Sequence, residues 1–290
     1  MRGVTLACAV WAAFFVMSAP ARAQSTFNQA PAPPAFTEHV TTSEFITMRD
    51  GVRLAVSITR PARNGVAITQ PAPVIWHAGL DIIPAGAGAL PAPGDVRRFT
   101  QERIALAGYG YIVASVARRG AGASFGVRRG YQDRNEANDH YEVVEWLARQ
   151  DWSNGRIGMI GCSNTGDAVM QTLTMLPPSL RAAFAGCFSW NKYDGFGRGG
   201  GIRANWGTGP TRTIEEEMRN IPVQGDEARI LLRQAAEEHQ LNTNLADLLR
   251  GMPNRDTHSP LTHSRFWYEG SASSYVHQLR RSNVALYIQG

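Results

Sequence analysis

An α/β fold with a mostly parallel sheet is the class this sequence predicts, on three observations. Short apolar runs of strand length alternate with stretches of helical period between residues 72 and 186. Those runs are apolar nearly throughout, as strands buried on both faces are. A two-strand unit with Asp-Gly at its turn precedes the alternation. Alternation of this kind lays helices on both faces of a parallel sheet. The chain has 290 residues, 43% hydrophobic and 18% charged, enough apolar material for a sizeable core and too ordinary a composition for disorder.

The elements follow in order. Arg2, the apolar run Val4 to Met17 and the small-x-small site Ala21-Arg22-Ala23 describe a secretory signal peptide. The run is short for a bilayer span, so cleavage after Ala23, no membrane contact thereafter, and a periplasmic or secreted location are expected. Residues 24–40 follow as a loose Pro/Ala-rich segment. A core over residues 41–190 begins with "EFITMRDGVRLAVSITRP", two strand-like runs around Asp50-Gly51, a hairpin signal. "APVIWHAG" is a buried strand, residues 84–94 a loop, and residues 96–107 a helix capped by Asp95. "YGYIVASVA" is a strand and "RRGAGASFG" a glycine-rich loop. Residues 133–150 are a helix capped by Asp133. After the turn "DWSNG", "RIGMIGC" is a strand, residues 165–176 a helix and "LRAAFAGCFS" a strand. Residues 191–276 hold a glycine cluster (Gly195, Gly197, Gly199, Gly200, Gly201) and helical stretches near 211–220, 225–240 and 243–250, a helical cap insertion. Residues 277–290, with "NVALYIQG", return a strand to the core.

The net charge of +5 comes from scattered arginines, tightest at Arg118-Arg119 and Arg128-Arg129. Without interleaved aromatics they read as a solvated basic surface, and nucleic-acid binding is not expected. Cys8 leaves with the signal. Cys162 and Cys187 stand near the ends of neighbouring strands, where a bridge is possible and two buried free thiols are the default.

The chemistry centres on "IGMIGCSNTGDAVM". Ser163 sits between a strand and a helix, with Gly161 before it and Gly166 after. A strand that turns sharply into a helix needs small residues where the two backbones approach, and it lifts the serine hydroxyl above the sheet edge. The plainer reading is a serine helix cap. The Asn164 backbone N–H, at the helix start, faces a developing oxyanion. A second donor is expected from "WHAGLDIIP", at the N–H of Gly79 or Leu80. His77 precedes the nucleophile and reads as structural. A base and its orienting carboxylate should follow the nucleophile, the carboxylate after the return strand. His258, His263, His277, Asp194, Asp226 and Asp256 all come before that strand and read as structural. No triad Asp or His is then present in residues 1–290, and without a base a serine is a poor nucleophile. "GAGASFG" is a weak dinucleotide-binding motif, because a long polar loop separates it from the next helix.

Four stretches resemble the cocaine esterase / X-prolyl dipeptidyl peptidase-like, or CocE/NonD, serine hydrolases: "ITMRDGVRLAVSITRP", "GYIVASVARRGAGASFG", "DHYEVVEWLARQDWSNGRIGMIGCSNTG" and "SNVALYIQG". The resemblance implies an α/β-hydrolase fold and cleavage of an ester, or of an amide or peptide bond, through Ser163. It implies a small ester or peptide as substrate, and no metal or organic cofactor is expected. It also places a triad Asp just past residue 290, a His further on, and a C-terminal jelly-roll. The chain is accordingly expected to be the N-terminal part of such an enzyme, nearly inactive alone, with a non-catalytic binding or remnant domain as the alternative. Two positions depart from the family: Asn164 replaces its usual Tyr, and Leu80 stands where it often supplies a Tyr hydroxyl.

Overall fold

The computed structural model describes residues 33–90, 103–196 and 212–290. The signal peptide, most of the Pro/Ala-rich segment, the start of the helix assigned to residues 96–107, and Gly197, Gly199, Gly200 and Gly201 lie outside them. Nine strands form one sheet: β1 (Glu38–Thr47), β2 (Arg53–Arg63), β3 (Val66–Ala67), β4 (Ala72–Gly79), β5 (Gly86–Ala89), β6 (Ile112–Ala117), β7 (Ser153–Cys162), β8 (Leu180–Gly186) and β9 (Ala285–Gln289). Their order is β5-β1-β2-β6-β4-β7-β8-β9, with β3 paired to β2.

Strands β6, β4, β7, β8 and β9 run parallel. The β1–β2 hairpin joins them antiparallel through β2 and β6. Its turn is closed by Gly51 N–H to the Met48 carbonyl at 2.9 Å, with Gly51 at φ 82°. Residues 86–89, expected as loop, form β5 on the outer edge of β1. "GAGA" has no side-chain alternation to betray a strand, and backbone pairing alone holds it there.

Helices cover the parallel strands. α1 (Arg134–Ala148) starts at Asp133, whose side chain accepts from Glu136 N–H at 3.0 Å. It buries Val143, Val144 and Leu147 against a core that includes Trp76, Ile112, Ile157 and Met159. α2 (Asn164–Thr174) adds Val169 and Leu173 to that core. It stops short of residue 176, because Leu176 turns to φ 55° ahead of Pro177-Pro178.

Beyond β8 come α3 (Lys192–Phe196), α4 (Ile214–Glu217), α5 (Ile230–His239), α6 (Leu245–Arg250), α7 (Phe266–Glu269) and α8 (Val276–Arg281). Among the described residues of 191–276 there is no strand. The helix expected from residue 225 begins at Ile230. Asp226 folds over its start, accepting from Leu231 N–H at 3.0 Å and Leu232 N–H at 2.9 Å. Residues 277–281, assigned to the return strand, belong to α8, because Val276 and Leu279 share a helical face and Leu279 packs on the core. The strand itself begins at Ala285.

The solvated reading of the basic pairs is overturned at Arg118 and Arg119, which are 5% and 8% exposed. Arg119 forks onto Asp139 of α1, Nε to Oδ2 at 2.7 Å and Nη2 to Oδ1 at 2.8 Å. Arg118 Nη1 donates to Glu136 at 2.9 Å. These pairs tie the glycine-rich loop after β6 to the helix beneath it.

Candidate active site

The end of β7 and the start of α2 make the turn that the sequence predicts. Ser163 adopts φ 58° and ψ −124°, a conformation that costs a non-glycine residue about 1–3 kcal/mol and persists only where surrounding structure enforces it. The enforcement is visible. Ser163 N–H donates to the Gly186 carbonyl at 2.9 Å, which ties the turn to β8. The Ser163 carbonyl accepts from Asp167 N–H at 3.0 Å, the first bond of α2. Thr165 Oγ1 bonds both the N–H and the carbonyl of Cys162, each at 2.9 Å. A β-carbon on Gly161 would overlap the Thr165 carbonyl, and one on Gly166 would overlap the Gly186 carbonyl. Ser163 itself is exposed at the C-terminal edge of the sheet.

Asn164 begins α2, and Gln132 Nε2 donates to its carbonyl. Gly79 closes β4, its carbonyl accepting from Arg118 N–H at 3.0 Å, and Leu80 opens the following loop. Leu80 and Asn164 line one cavity of about 320 Å³, together with Asn242, Leu245 and Leu248. The structure thus brings together the loop after β4 and the helix start after Ser163.

The histidines do not converge on the serine. His77 Nδ1 lies 3.2 Å from the Ile160 carbonyl. Burial, with the charges of Arg103 and Arg118 nearby, pushes its pKa down to about 3, so the ring is neutral. His258, His263 and His277 are exposed. Asp226 caps α5, Asp194 pairs with Arg255 at 2.7 Å, and Asp256 faces Arg265 at 3.7 Å. Among the described residues, no hydrogen bond joins a histidine to Ser163 Oγ.

Several groups around the site are not singled out by the sequence reading. Lys192 is 0% exposed, its Nζ donating to the Tyr131 carbonyl at 3.0 Å and lying 4.8 Å from the Tyr131 ring centre. Burial pushes its pKa down to about 8, against the opposing charges of Asp167, Glu136 and Asp133. Asp167, one turn into α2, accepts from Ser189 N–H at 2.7 Å, and burial raises its carboxyl. Glu136 is the reverse case: burial would raise it, yet Arg118 leads the charges that hold it down to about 2. His239 of α5 is buried, with Nε2 2.7 Å from the Ser124 carbonyl and Nδ1 3.4 Å from Glu217 Oε2. Only the polar residues inside otherwise apolar helices, such as Asp167, signal such a network in sequence.

Cys162 and Cys187 are free, and both are exposed at the sheet edge rather than buried. Slight desolvation and then the neighbouring Cys187 thiol raise the Cys162 thiol above its ordinary value. Among the described residues, no group of three metal-binding side chains is assembled, and no helix is long and apolar enough to cross a membrane.

Comparison with known proteins bears on the family and the fold. Two mycobacterial proteins that carry a provisional serine esterase name, from Mycobacterium bovis and Mycobacterium tuberculosis, are each 29% identical over 259 residues. The match covers 79% of this chain and 40% of each relative, so the chain spans well under half the length of these curated relatives. A CocE/NonD family hydrolase of Staphylococcus aureus aligns in structure with a TM-score of 0.52 and 21% identity, over 87% of this chain and 46% of that protein. It shares the fold. The profile described as X-Pro dipeptidyl-peptidase (S15 family) matches residues 50–290, and the chain therefore belongs to that family of α/β-hydrolases.

Proposed function

We propose that this chain carries the nucleophile of an exported serine hydrolase that cleaves an ester, or an amide or peptide bond, by acylation of Ser163 and hydrolysis of the acyl-enzyme. The observation that carries the reading is the backbone of Ser163: a positive φ at a strand-to-helix junction, held by close packing on both sides, with the side chain exposed. Strained backbone of this kind clusters at active sites, and here it coincides with an exposed hydroxyl. Asn164 N–H and the N–H of Gly79 or Leu80 are assigned to the oxyanion, supported by the shared cavity that Asn164 and Leu80 line. Among the described residues no histidine is hydrogen-bonded to Ser163 Oγ; the resemblance implies a base and an orienting carboxylate that come later in the family's fold than the return strand. Export rests on the signal-peptide pattern at residues 2–23.

The test is a fluorophosphonate probe that reacts with activated serines. Labelling of a chain carried on past residue 290, faint labelling of residues 1–290 alone, and none after Ser163→Ala are expected. Labelling that survives Ser163→Ala overturns the reading. So does an extended, folded chain that takes no label, which would leave a binding domain on the hydrolase fold.

A further inference from the structure

The cavity lined by Asn164, the residue after Ser163, also presents three arginines, Arg118, Arg128 and Arg212, against one carboxylate, Glu217. Glu217 is already engaged, its Oε2 accepting from Asn220 Nδ2 at 2.7 Å and lying 3.4 Å from His239 Nδ1. Arg118 is 5% exposed and directs Nη1 to Glu136, but its buried Nε has no hydrogen-bond partner. Arg128 is tied by its backbone N–H to Asn242 Oδ1 at 2.6 Å. Its guanidinium makes no ion pair with a described residue. Burial, then the charge of Arg118, lower its pKa. Burying a guanidinium without a direct ion pair is unfavourable; Arg128 is so placed, and Arg118, though paired with Glu136, leaves Nε unsatisfied in the same cavity, which Asn164 and Leu80 also line. A planar fork of N–H donors matches the two oxygens of a carboxylate.

We infer that this cavity binds a carboxylate of the substrate, held by Arg118 Nε and the Arg128 guanidinium with Arg212 at the rim. This rests on the serine hydrolase reading and narrows it: the substrate is an ester or amide that carries a free carboxylate, such as a half-ester of a small dicarboxylic acid. The carboxylate would anchor the substrate with its reacting carbonyl toward Asn164 and Leu80, so binding energy from the remote charge would position the bond to be cleaved.

Calorimetric titration of the full chain tests this without requiring turnover. Monomethyl glutarate and dimethyl glutarate share an ester and a carbon chain and differ in one negative charge. The half-ester is expected to bind about tenfold to a hundredfold more tightly, the factor that a hydrogen bond to a charged group supplies, and the advantage should shrink with added salt. Arg128→Gln is the first variant, because Arg118→Gln would strand Glu136. It should reduce the advantage to about threefold or less, with a circular dichroism melt reporting that the fold is kept. Should Arg128→Gln fail to fold, Arg212→Gln takes its place, with a weaker half-ester advantage expected. Equal affinities for the two esters overturn the inference, as does an advantage that persists undiminished in the folded variant. Labelling of Ser163 by an uncharged fluorophosphonate is scored separately. Label without a charge preference removes the carboxylate site and leaves the hydrolase; preference without label does the opposite.

Discussion

Gly166 lies so close to the carbonyl of Gly186 that a β-carbon has no room between them, and this contact seats the first turn of α2 on the end of β8. Gly161 stands in the same relation to the Thr165 carbonyl. The two glycines let the chain reverse around Ser163 within a few residues. Alanine at either position forces the backbones apart. Gly161→Ala and Gly166→Ala are each expected to destabilise the fold by about 1–3 kcal/mol, as overpacking of a tight site does, and to reduce fluorophosphonate labelling of Ser163. Gly158→Ala is the control. It is on the same strand, and its β-carbon would meet only ordinary contacts at 3.7 Å and beyond. Urea denaturation of the three variants checks the ranking; a Gly158→Ala as damaging as the other two would contradict it.

The fork between Arg119 and Asp139 makes a second expectation. Both side chains are buried, Asp139 at 1% exposure. Arg119 also reaches Asp50 in the β1–β2 turn at 2.8 Å, so one guanidinium joins the hairpin, the glycine-rich loop and α1. Removing one partner of a buried pair costs about 3–5 kcal/mol where the other charge is left unpaired; here Arg119 would keep Asp50 and Arg49, the second partner of Asp139, would keep Glu142. Asp139→Ala should therefore lose less, about 1–3 kcal/mol in urea denaturation. The double variant Arg119→Met, Asp139→Ala should lose less than the sum of the two single losses, since both single variants remove the same Arg119–Asp139 contact.

These two cases mark what the sequence reveals and what it hides. The elbow is legible because Gly161, Ser163 and Gly166 encode a close approach of backbones that follow one another in the chain. The start of α1 is legible because Asp133 caps its own helix. β5 is not, since its partner β1 is about fifty residues away and Gly-Ala repeats carry no facial pattern. The burial of Arg118 and Arg119 is hidden for a related reason. Their carboxylate partners lie in a helix that the sheet brings alongside, and nothing in an Arg-Arg pair distinguishes a buried fork from a solvated one. The arginine-lined cavity is assembled from four separate segments, 80, 118–131, 164 and 212–248. It therefore has no local signature at all.

His77 gives a pH dependence with a definite sign. Its folded pKa lies near 3, below the ordinary value of 6.5, so as pH falls the unfolded chain takes up the proton first. The stability tied to the neutral ring is fully present above pH 6.5 and is lost progressively as pH falls toward 3. Between pH 7 and pH 4.5 the loss from this residue should be on the order of 2 kcal/mol. His77→Gln keeps a donor for the Ile160 carbonyl and cannot titrate, so its stability should fall less over the same interval. Parallel slopes for the two proteins in urea denaturation would show that the ring is protonated in the fold.

Lys192 runs the argument in the alkaline direction. Its folded pKa of about 8 lies below the ordinary 10.5, so between those values the unfolded chain binds more protons and stability rises with pH. Below pH 8 the full desolvation penalty is present; above 10.5 it has gone. The free energy of wild type minus that of Lys192→Met should therefore become more favourable from pH 7.5 to pH 10, by on the order of 2 kcal/mol. Taking the difference removes the tyrosines and other lysines that titrate in the same range, Tyr131 among them, whose hydroxyl burial pushes upward. Because Lys192 Nζ is bonded to the Tyr131 carbonyl beneath the cavity, the same pair should show whether the buried ammonium supports the site. Lys192→Met is expected to weaken half-ester binding at pH 7.5, and wild type to approach that weaker affinity as the ammonium loses its proton toward pH 10. A stability difference that stays flat across this range would mean that Lys192 keeps an ordinary pKa and that its companions Asp167, Glu136 and Asp133 offset its burial in full.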